Sequence, residues 1–167
     1  MEWAQLLKIP IADKVEKEQL KDLVPQKGKM FLLDSVESYD LKTMTITCLK
    51  EISEDNIFYK ADLEGIPAFT SFEMMAQAIA ALQTIKKIKN QEEEPNPGVI
   101  LTLSKFKSNI HSFSKGTEVC IQAEEEYNSN GLCCYICQAF ARGKEAEAVK
   151  TKITAMEIKD LSDLLKQ

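Results

Sequence analysis

The 167-residue chain contains a single histidine, a single tryptophan and only six glycines. One histidine without a clustered partner leaves no recognisable metal-ligand set, and the scattered glycines form no loop of the kind that cradles phosphates. Neither a metal nor an organic cofactor is therefore indicated. Basic residues are in deficit: 21 Lys and Arg against 26 Asp and Glu give a formal charge of -5. That balance argues against a surface built to track nucleic-acid phosphates. No apolar run approaches the length of a membrane span. The first residues, Met1-Glu2-Trp3-Ala4-Gln5-Leu6-Leu7-Lys8, have neither the basic nor the apolar region of a secretion signal. The expectation is a soluble, cytoplasmic protein. Repeats and low-complexity segments are also lacking, and the length favours one domain over residues 1–167.

What is present in excess is cysteine of an awkward number. Three of the five crowd into Leu132-Cys133-Cys134-Tyr135-Ile136-Cys137. Cys134 and Cys137 have C-x-x-C spacing, but the pattern is that of a strand, where residues three apart point to opposite faces. Zinc or redox use would need a turn there and further ligands elsewhere. Buried reduced thiols are the simpler reading.

Residues 1–23 carry an irregular apolar pattern broken by Pro10, with a short polar-faced helix over residues 14–23, and read as an appendage. A turn at Val24-Pro25-Gln26-Lys27-Gly28-Lys29 precedes β-prone runs over residues 30–36 and 44–49, a region that ends at Phe58 and Tyr59. Residues 61–67 read as a loop. From Ala68 or Thr70 to Lys89 the spacing predicts a helix with Phe72, Met75, Ala76, Ile79 and Leu82 on one face and Met74, Ala78, Ala81, Ile85 and Ile88 on another. The charged, proline-marked segment 90–98 leads out of it. Strands follow over residues 99–103, 110–113, 117–125, 132–140 and 146–156, and a short helix over 158–165. Turn signals at Asn128-Ser129-Asn130-Gly131 and Arg142-Gly143-Lys144 make the last three strands an antiparallel meander. One long buried helix with a meander of long strands predicts an α+β fold in which a sheet wraps around the helix.

That helix carries the chain's most chemical feature. A helix apolar nearly all round must be buried, and a carboxylate in its first turns is expensive unless hydrogen-bonded, paired or used. Glu73 is that carboxylate. Its structural alternative is a capping box, with Thr70 as N-cap and Glu73 three residues later. Gln77, one turn on, is either its side-chain partner or a buried amide tying the helix to a neighbour.

The order of elements resembles the hotdog fold of the 3-hydroxyacyl-(acyl-carrier-protein) dehydratases. Val24-Pro25-Gln26-Lys27-Gly28-Lys29-Met30-Phe31-Leu32-Leu33-Asp34 is similar to the family segment Pro-His-Arg-x-Pro, Met or Phe, Leu-Leu, then Asp. Pro67-Ala68-Phe69-Thr70-Ser71-Phe72-Glu73-Met74-Met75-Ala76-Gln77 is similar to its Pro-Gly-Val-x-x-x-Glu-x-Met-Ala-Gln helix start. Gly98-Val99-Ile100-Leu101 and Phe113-Ser114-Lys115-Gly116-Thr117-Glu118-Val119 resemble elements of the branch named for aryl-polyene biosynthesis.

The resemblance implies an acyl-thioester lyase of fatty-acid or polyketide-like synthesis, working as a dimer on acyl carrier protein or coenzyme A substrates. A histidine of one subunit and the helix carboxylate of the other would remove water from a 3-hydroxyacyl group. Glu73 takes the carboxylate role, Gln77 its partner's, Ala68 a backbone donor's, and Tyr59 heads the loop expected to contact substrate. The chain departs from the family where proton transfer is concerned. The loop 59–67 contains no histidine, and Gln26 replaces the histidine of Pro-His-Arg. An amide hydrogen-bonds but neither takes nor gives a proton near neutral pH. His111, Asp62 and Glu64 are the substitutes the chain itself offers, each equally readable as a packed or solvated residue.

Three functions follow as expectations: a dehydratase-like subunit whose histidine comes from a paralogous hotdog chain, a hotdog thioesterase, and a non-catalytic acyl-binding or scaffolding dimer. A homodimer is expected, with a heterodimer as the alternative.

Overall fold

The computed structural model describes residues 1–159, and the helix expected over 158–165 lies mostly outside them. The appendage is α1 (Trp3–Leu6), β1 (Val15–Glu16) and α2 (Lys17–Leu23). The pattern 14–23 thus splits: Val15 pairs with Val36, and only the residues after Glu16 turn helical. A hairpin follows, β2 (Ser35–Asp40) and β3 (Thr45–Glu51). The chain then reaches β4 (Gly65–Pro67) and the long helix α3 (Ser71–Lys89). The remaining strands are β5 (Gly98–Ser108), β6 (Ser112–Ser114), β7 (Glu118–Ser129), β8 (Leu132–Ala141) and β9 (Ala148–Glu157).

Seven strands form one antiparallel sheet in the order β1-β2-β3-β7-β8-β9-β5, while β4 and β6 form a separate pair. Along β7 and β8 the period of two is plain. Val119, Ile121, Ala123, Cys133, Tyr135, Cys137 and Ala139 are buried, and Gln122, Glu124, Ile136 and Gln138 alternate with them on the other face. Cys134 and Cys137 accordingly face opposite ways, and burial pushes the Cys137 thiol up to about 12. All five cysteines are free thiols. The meander is closed by Asn130 and Gly131, both at positive φ, as the type I′ turn of a two-residue hairpin requires.

The sheet wraps α3, whose Met74, Met75, Leu82 and Ile85 are fully buried. Each contributes roughly 1.5–3 kcal/mol by leaving water. Phe72, Ala76, Ala80, Gln83 and Lys87 are half-buried, and Gln83 and Lys87 reach the sheet, Gln83 through Glu125 and Tyr135 and Lys87 through Glu157.

Two stretches depart from the expected strands for identifiable reasons. Residues 28–30 make a 3₁₀ turn, and Phe31 to Asp34 are extended but outside β2, because Leu32 bonds the α3 side chain Gln77 instead of a neighbouring strand. Phe58 and Tyr59 lie in a turn, where the Asn56 side chain accepts the Phe58 amide. The segment 61–67, read as loop, is a 3₁₀ turn (Ala61–Leu63) followed by β4. That strand needs glycine: a Cβ on Gly65 would lie 2.1 Å from the Phe113 carbonyl oxygen of β6.

Candidate functional site

Pairing of β4 with β6 fixes where the helix begins. Pro67 stands opposite Ser112, and the next residue, Ala68, opens a 3₁₀ turn (Ala68–Thr70) that runs into α3. Thr70 does not cap the helix. Its backbone is already helical, with φ -66° and ψ -13°, and its hydroxyl donates to the Pro67 carbonyl. The capping box is therefore not formed, and Glu73 is free for other partners.

Those partners are two amides. Gln26 Nε2 and Gln77 Nε2 both donate to Glu73 Oε1, at 3.2 Å and 3.1 Å. Gln77 is 0% exposed, and its amide is fully committed. Its Oε1 accepts the Leu32 N–H at 2.9 Å, and its Nε2 also donates to the Met30 carbonyl at 2.7 Å. The Leu32 donor fixes which way the amide points. Gln77 thus positions Glu73 and clamps the segment before β2 to the helix. Half-buried Glu73 keeps Oε2 without a hydrogen-bond donor among the described residues, and the buried Gln26 Oε1 has no partner either. Each of these two oxygens keeps a capacity to accept that the described residues do not use. A ligand hydroxyl, a ligand amide or a water would satisfy them.

Sequence reasoning missed that Gln26 and Glu73 touch within one chain. They lie 47 residues apart, and no local pattern links them.

The other expected site residues fall around this trio without joining it. Ala68 does not offer a free donor, because its N–H is spent on the His111 carbonyl at 2.8 Å. The next amide, of Phe69, has no acceptor among the described residues, and the Phe69 side chain is 59% exposed. Tyr59 packs against the core, and no hydrogen bond joins it to Glu73 or Gln77 among the described residues. Asp62 and Glu64 are exposed on the turn before β4, with Glu64 at φ 45° and its carbonyl accepting the Lys115 N–H. His111 is exposed just before β6, beside the start of α3 through its bond to Ala68.

Beneath the site, Asp34 ties the segment after Gln26 to the sheet. Its Oδ1 accepts Lys17 Nζ at 2.8 Å and Lys50 Nζ at 3.2 Å, and its Oδ2 accepts the Glu51 N–H at 2.9 Å. Burial works against ionisation, but the Lys17, Glu51 and Lys50 donors outweigh it and hold the carboxyl below its usual range.

No group of three or more His, Cys, Asp or Glu is placed to hold a metal ion among the described residues. None of the described helices is long and apolar enough to cross a membrane.

A single long helix sheathed by an antiparallel sheet, with a carboxylate fixed in its first turns, defines a hotdog protein of the dehydratase-like kind. The chain belongs to the ApeP-like family: the family model, described as ApeP dehydratase, matches residues 18–166. Among solved structures it is similar to a chain of the dehydratase heterocomplex ApeI:P from Xenorhabdus doucetiae, with TM-score 0.79 and 19% identity over 89% of this chain and 97% of that one. An HP0420 homologue from Helicobacter felis gives TM-score 0.64 and 10% identity over 94% and 98% of the two chains. A hypothetical thioesterase with coenzyme A from Streptococcus pneumoniae gives 0.53 and 13% over 74% and 84%. At these identities the structural likenesses speak for the fold. No curated protein matches significantly in sequence.

Proposed function

We propose that the chain is a dehydratase-like hotdog subunit that acts on acyl thioesters, a 3-hydroxyacyl group carried on acyl carrier protein or coenzyme A, in the cytoplasm. It works in a pair, and a second hotdog chain brings the catalytic histidine absent here from both family positions, the loop 59–67 and position 26. The observation that carries this reading is the trio at the helix start. Glu73 is the proton-competent group, and the two side chains holding it are amides.

Loss of water from a 3-hydroxyacyl thioester needs one group to take the α-proton and another to protonate the departing hydroxyl. Glu73 Oε2 supplies one of these, and the bonds to Oε1 keep the carboxylate aimed. The free Phe69 amide sits at the positive end of a 19-residue helix and serves as a donor to the thioester oxygen as charge develops there. A second subunit has a place to dock. Among the described residues strand β5 is the long unpaired edge of the sheet, and its Ile100, Leu101, Leu103 and Phe106 are exposed. Membership of the ApeP-like family supports the dehydratase lineage, and the similar ApeI:P chain belongs to a heterocomplex.

The test is water loss from 3-hydroxybutyryl-pantetheine, or its reverse on the crotonyl thioester. The isolated chain turns over little, and addition of a histidine-bearing hotdog partner restores the rate. Full activity of the isolated chain, undiminished in Glu73→Gln, would sink the reading.

A second reading is favoured by Gln26. An amide standing against the carboxylate keeps the hydrogen bond while removing proton transfer, as a non-catalytic acyl-binding subunit requires. In that case acyl-pantetheine binds without turnover even in the assembled pair. Release of free thiol from acyl substrates would instead point to thioester hydrolysis, which needs only a carboxylate to activate water.

A further inference from the structure

The open edge β5 also carries an unusual set of charges. Lys107 of β5 stands directly opposite Lys150 of β9, although like charges across a strand pair are unfavourable. Between Ser104 and Lys107 the register shifts, and Lys105 sits there in the left-handed region at φ 51°. A bulge of this kind re-aims side chains. Lys105, Lys107, Lys150 and Lys152 consequently line one groove, on the sheet face away from α3. Only Lys152 has a carboxylate partner among the described residues, Glu126 on β7. Lys105 and Lys107 on β5 and Lys150 on β9 thus make no ion pair among the described residues, although Glu124 and Glu126 of β7 line the same groove, in a chain whose net charge is -5.

We propose that these lysines choose the partner: the β5 edge accepts a strand edge bearing Asp or Glu at the facing positions and disfavours a second copy of this chain. The inference rests on the two-subunit hotdog reading given above and names the chemistry of the second subunit. The reason is symmetry. Two copies joined edge to edge are related by a two-fold axis, so whatever one presents the other presents too. With the strands antiparallel and β5 fully overlapped, the axis passes through Leu103, the midpoint of Gly98–Ser108. Lys105 then lies about 13 Å from its own counterpart, at roughly 3.3 Å per residue. Lys105 and Lys107 of each copy then lie on the two β5 strands that flank the axis, and β5 itself carries no Asp or Glu. At low salt that separation is shorter than a Debye length, about 30 Å at 0.01 M ionic strength, so the repulsion is felt. Near 1 M, where the length is about 3 Å, it is largely screened. The exposed apolar side chains Ile100, Leu101, Leu103 and Phe106 supply attraction to any partner strand, and the lysines decide which strand is accepted.

The wild-type chain itself is the probe. A double variant, Lys105→Glu/Lys107→Glu, is mixed with wild type, and the species are counted by native mass spectrometry and sedimentation at about 20 mM and at about 500 mM salt. The expected result is a mixed dimer at least tenfold tighter than the wild-type homodimer at low salt. The gap shrinks at high salt, where the homodimer strengthens. A control variant with the same charge change at remote exposed positions, Lys42→Glu/Lys144→Glu, mixes with wild type without that preference. Circular dichroism verifies that each variant is folded.

A statistical distribution of homo- and heterodimers would overturn the proposal. So would a wild-type homodimer that weakens with salt, or an equal preference for the control variant. The readout is assembly, so it stands or falls apart from the dehydratase reading, which turnover decides.

Discussion

Replacing Gln77 by leucine tests whether this amide holds the site together. The side chain makes three hydrogen bonds, to the Leu32 N–H, the Met30 carbonyl and Glu73. Leucine of similar volume fills the space, so little cavity is created and the loss falls on the groups left unpaired. The Leu32 N–H is buried, and Gln77 is its acceptor among the described residues. Leaving it unmet costs about 1–3 kcal/mol. The Met30 carbonyl belongs to an exposed residue and rehydrates, which adds less than about 1 kcal/mol. Glu73 is half-buried and keeps its Gln26 donor, so its share is smaller still. The expected total is about 2 kcal/mol, equivalent to a fall of roughly 4–8 °C in melting temperature for a chain of this length. Urea unfolding reads it directly, as a lower midpoint at unchanged slope. Amide exchange at Leu32 should speed up in the same variant. A stability loss below about 0.5 kcal/mol, with Leu32 still protected, would refute the claim that Gln77 clamps the pre-β2 segment to the helix.

Three further perturbations probe the surroundings. Gly65→Ala places a Cβ 2.1 Å from the Phe113 oxygen, so β4 and β6 must part. A loss of about 2–3 kcal/mol in thermal unfolding is expected, and an unchanged melting temperature would contradict the close approach. Asp34 has a folded-state pKa held below its unfolded one, so its stabilisation is present above the unfolded pKa and is lost as pH falls through the folded one. Acid unfolding should therefore flatten below about pH 4 in Asp34→Asn. That variant should also lose about 2 kcal/mol at neutral pH, because it leaves Lys50, only 8% exposed, short of a carboxylate. An acid profile identical to wild type would remove Asp34 from the account. Gln26→His puts an imidazole where an amide now stands 3.2 Å from Glu73. The variant chain should gain a measurable hydration rate on a crotonyl thioester with an apparent pKa near 6–7, and a rate indistinguishable from wild type would place the proton-transfer defect elsewhere.

The fold was largely readable because its two periodicities are clean. The apolar positions of α3 recur at helical spacing almost all round, and β7 and β8 alternate over most of their length, broken where Cys120 and Phe140 are buried on the second face, with an Asn-Gly turn between them whose φ values only such residues adopt readily. The misplaced strand at 30–36 shows the limit of pattern. Phe31, Leu32 and Leu33 are β-prone, yet a side-chain amide 45 residues away takes their backbone bond. Similarly, Thr70 and Glu73 match a capping box in sequence, but the preceding 3₁₀ turn has already made Thr70 helical, and its hydroxyl bonds backward to Pro67. Ala68 was expected to donate to a ligand, and its amide is used by β4–β6 pairing, which no local signal in 61–67 announces. Glu73 and Gln77 were identifiable one turn apart on the helix. Gln26 completes the group only through tertiary packing, and so does the single consequence that matters most: a carboxylate attended by amides alone.

The kinetic measurement closest to that point is the rate of 3-hydroxyacyl-pantetheine dehydration by the assembled pair of hotdog chains, with Glu73 or with Gln at position 73. The account predicts turnover by the wild-type pair, a fall of at least about 100-fold in Glu73→Gln with assembly unchanged, and negligible turnover by this chain alone. A pair that keeps its full rate when Glu73 is Gln would contradict it.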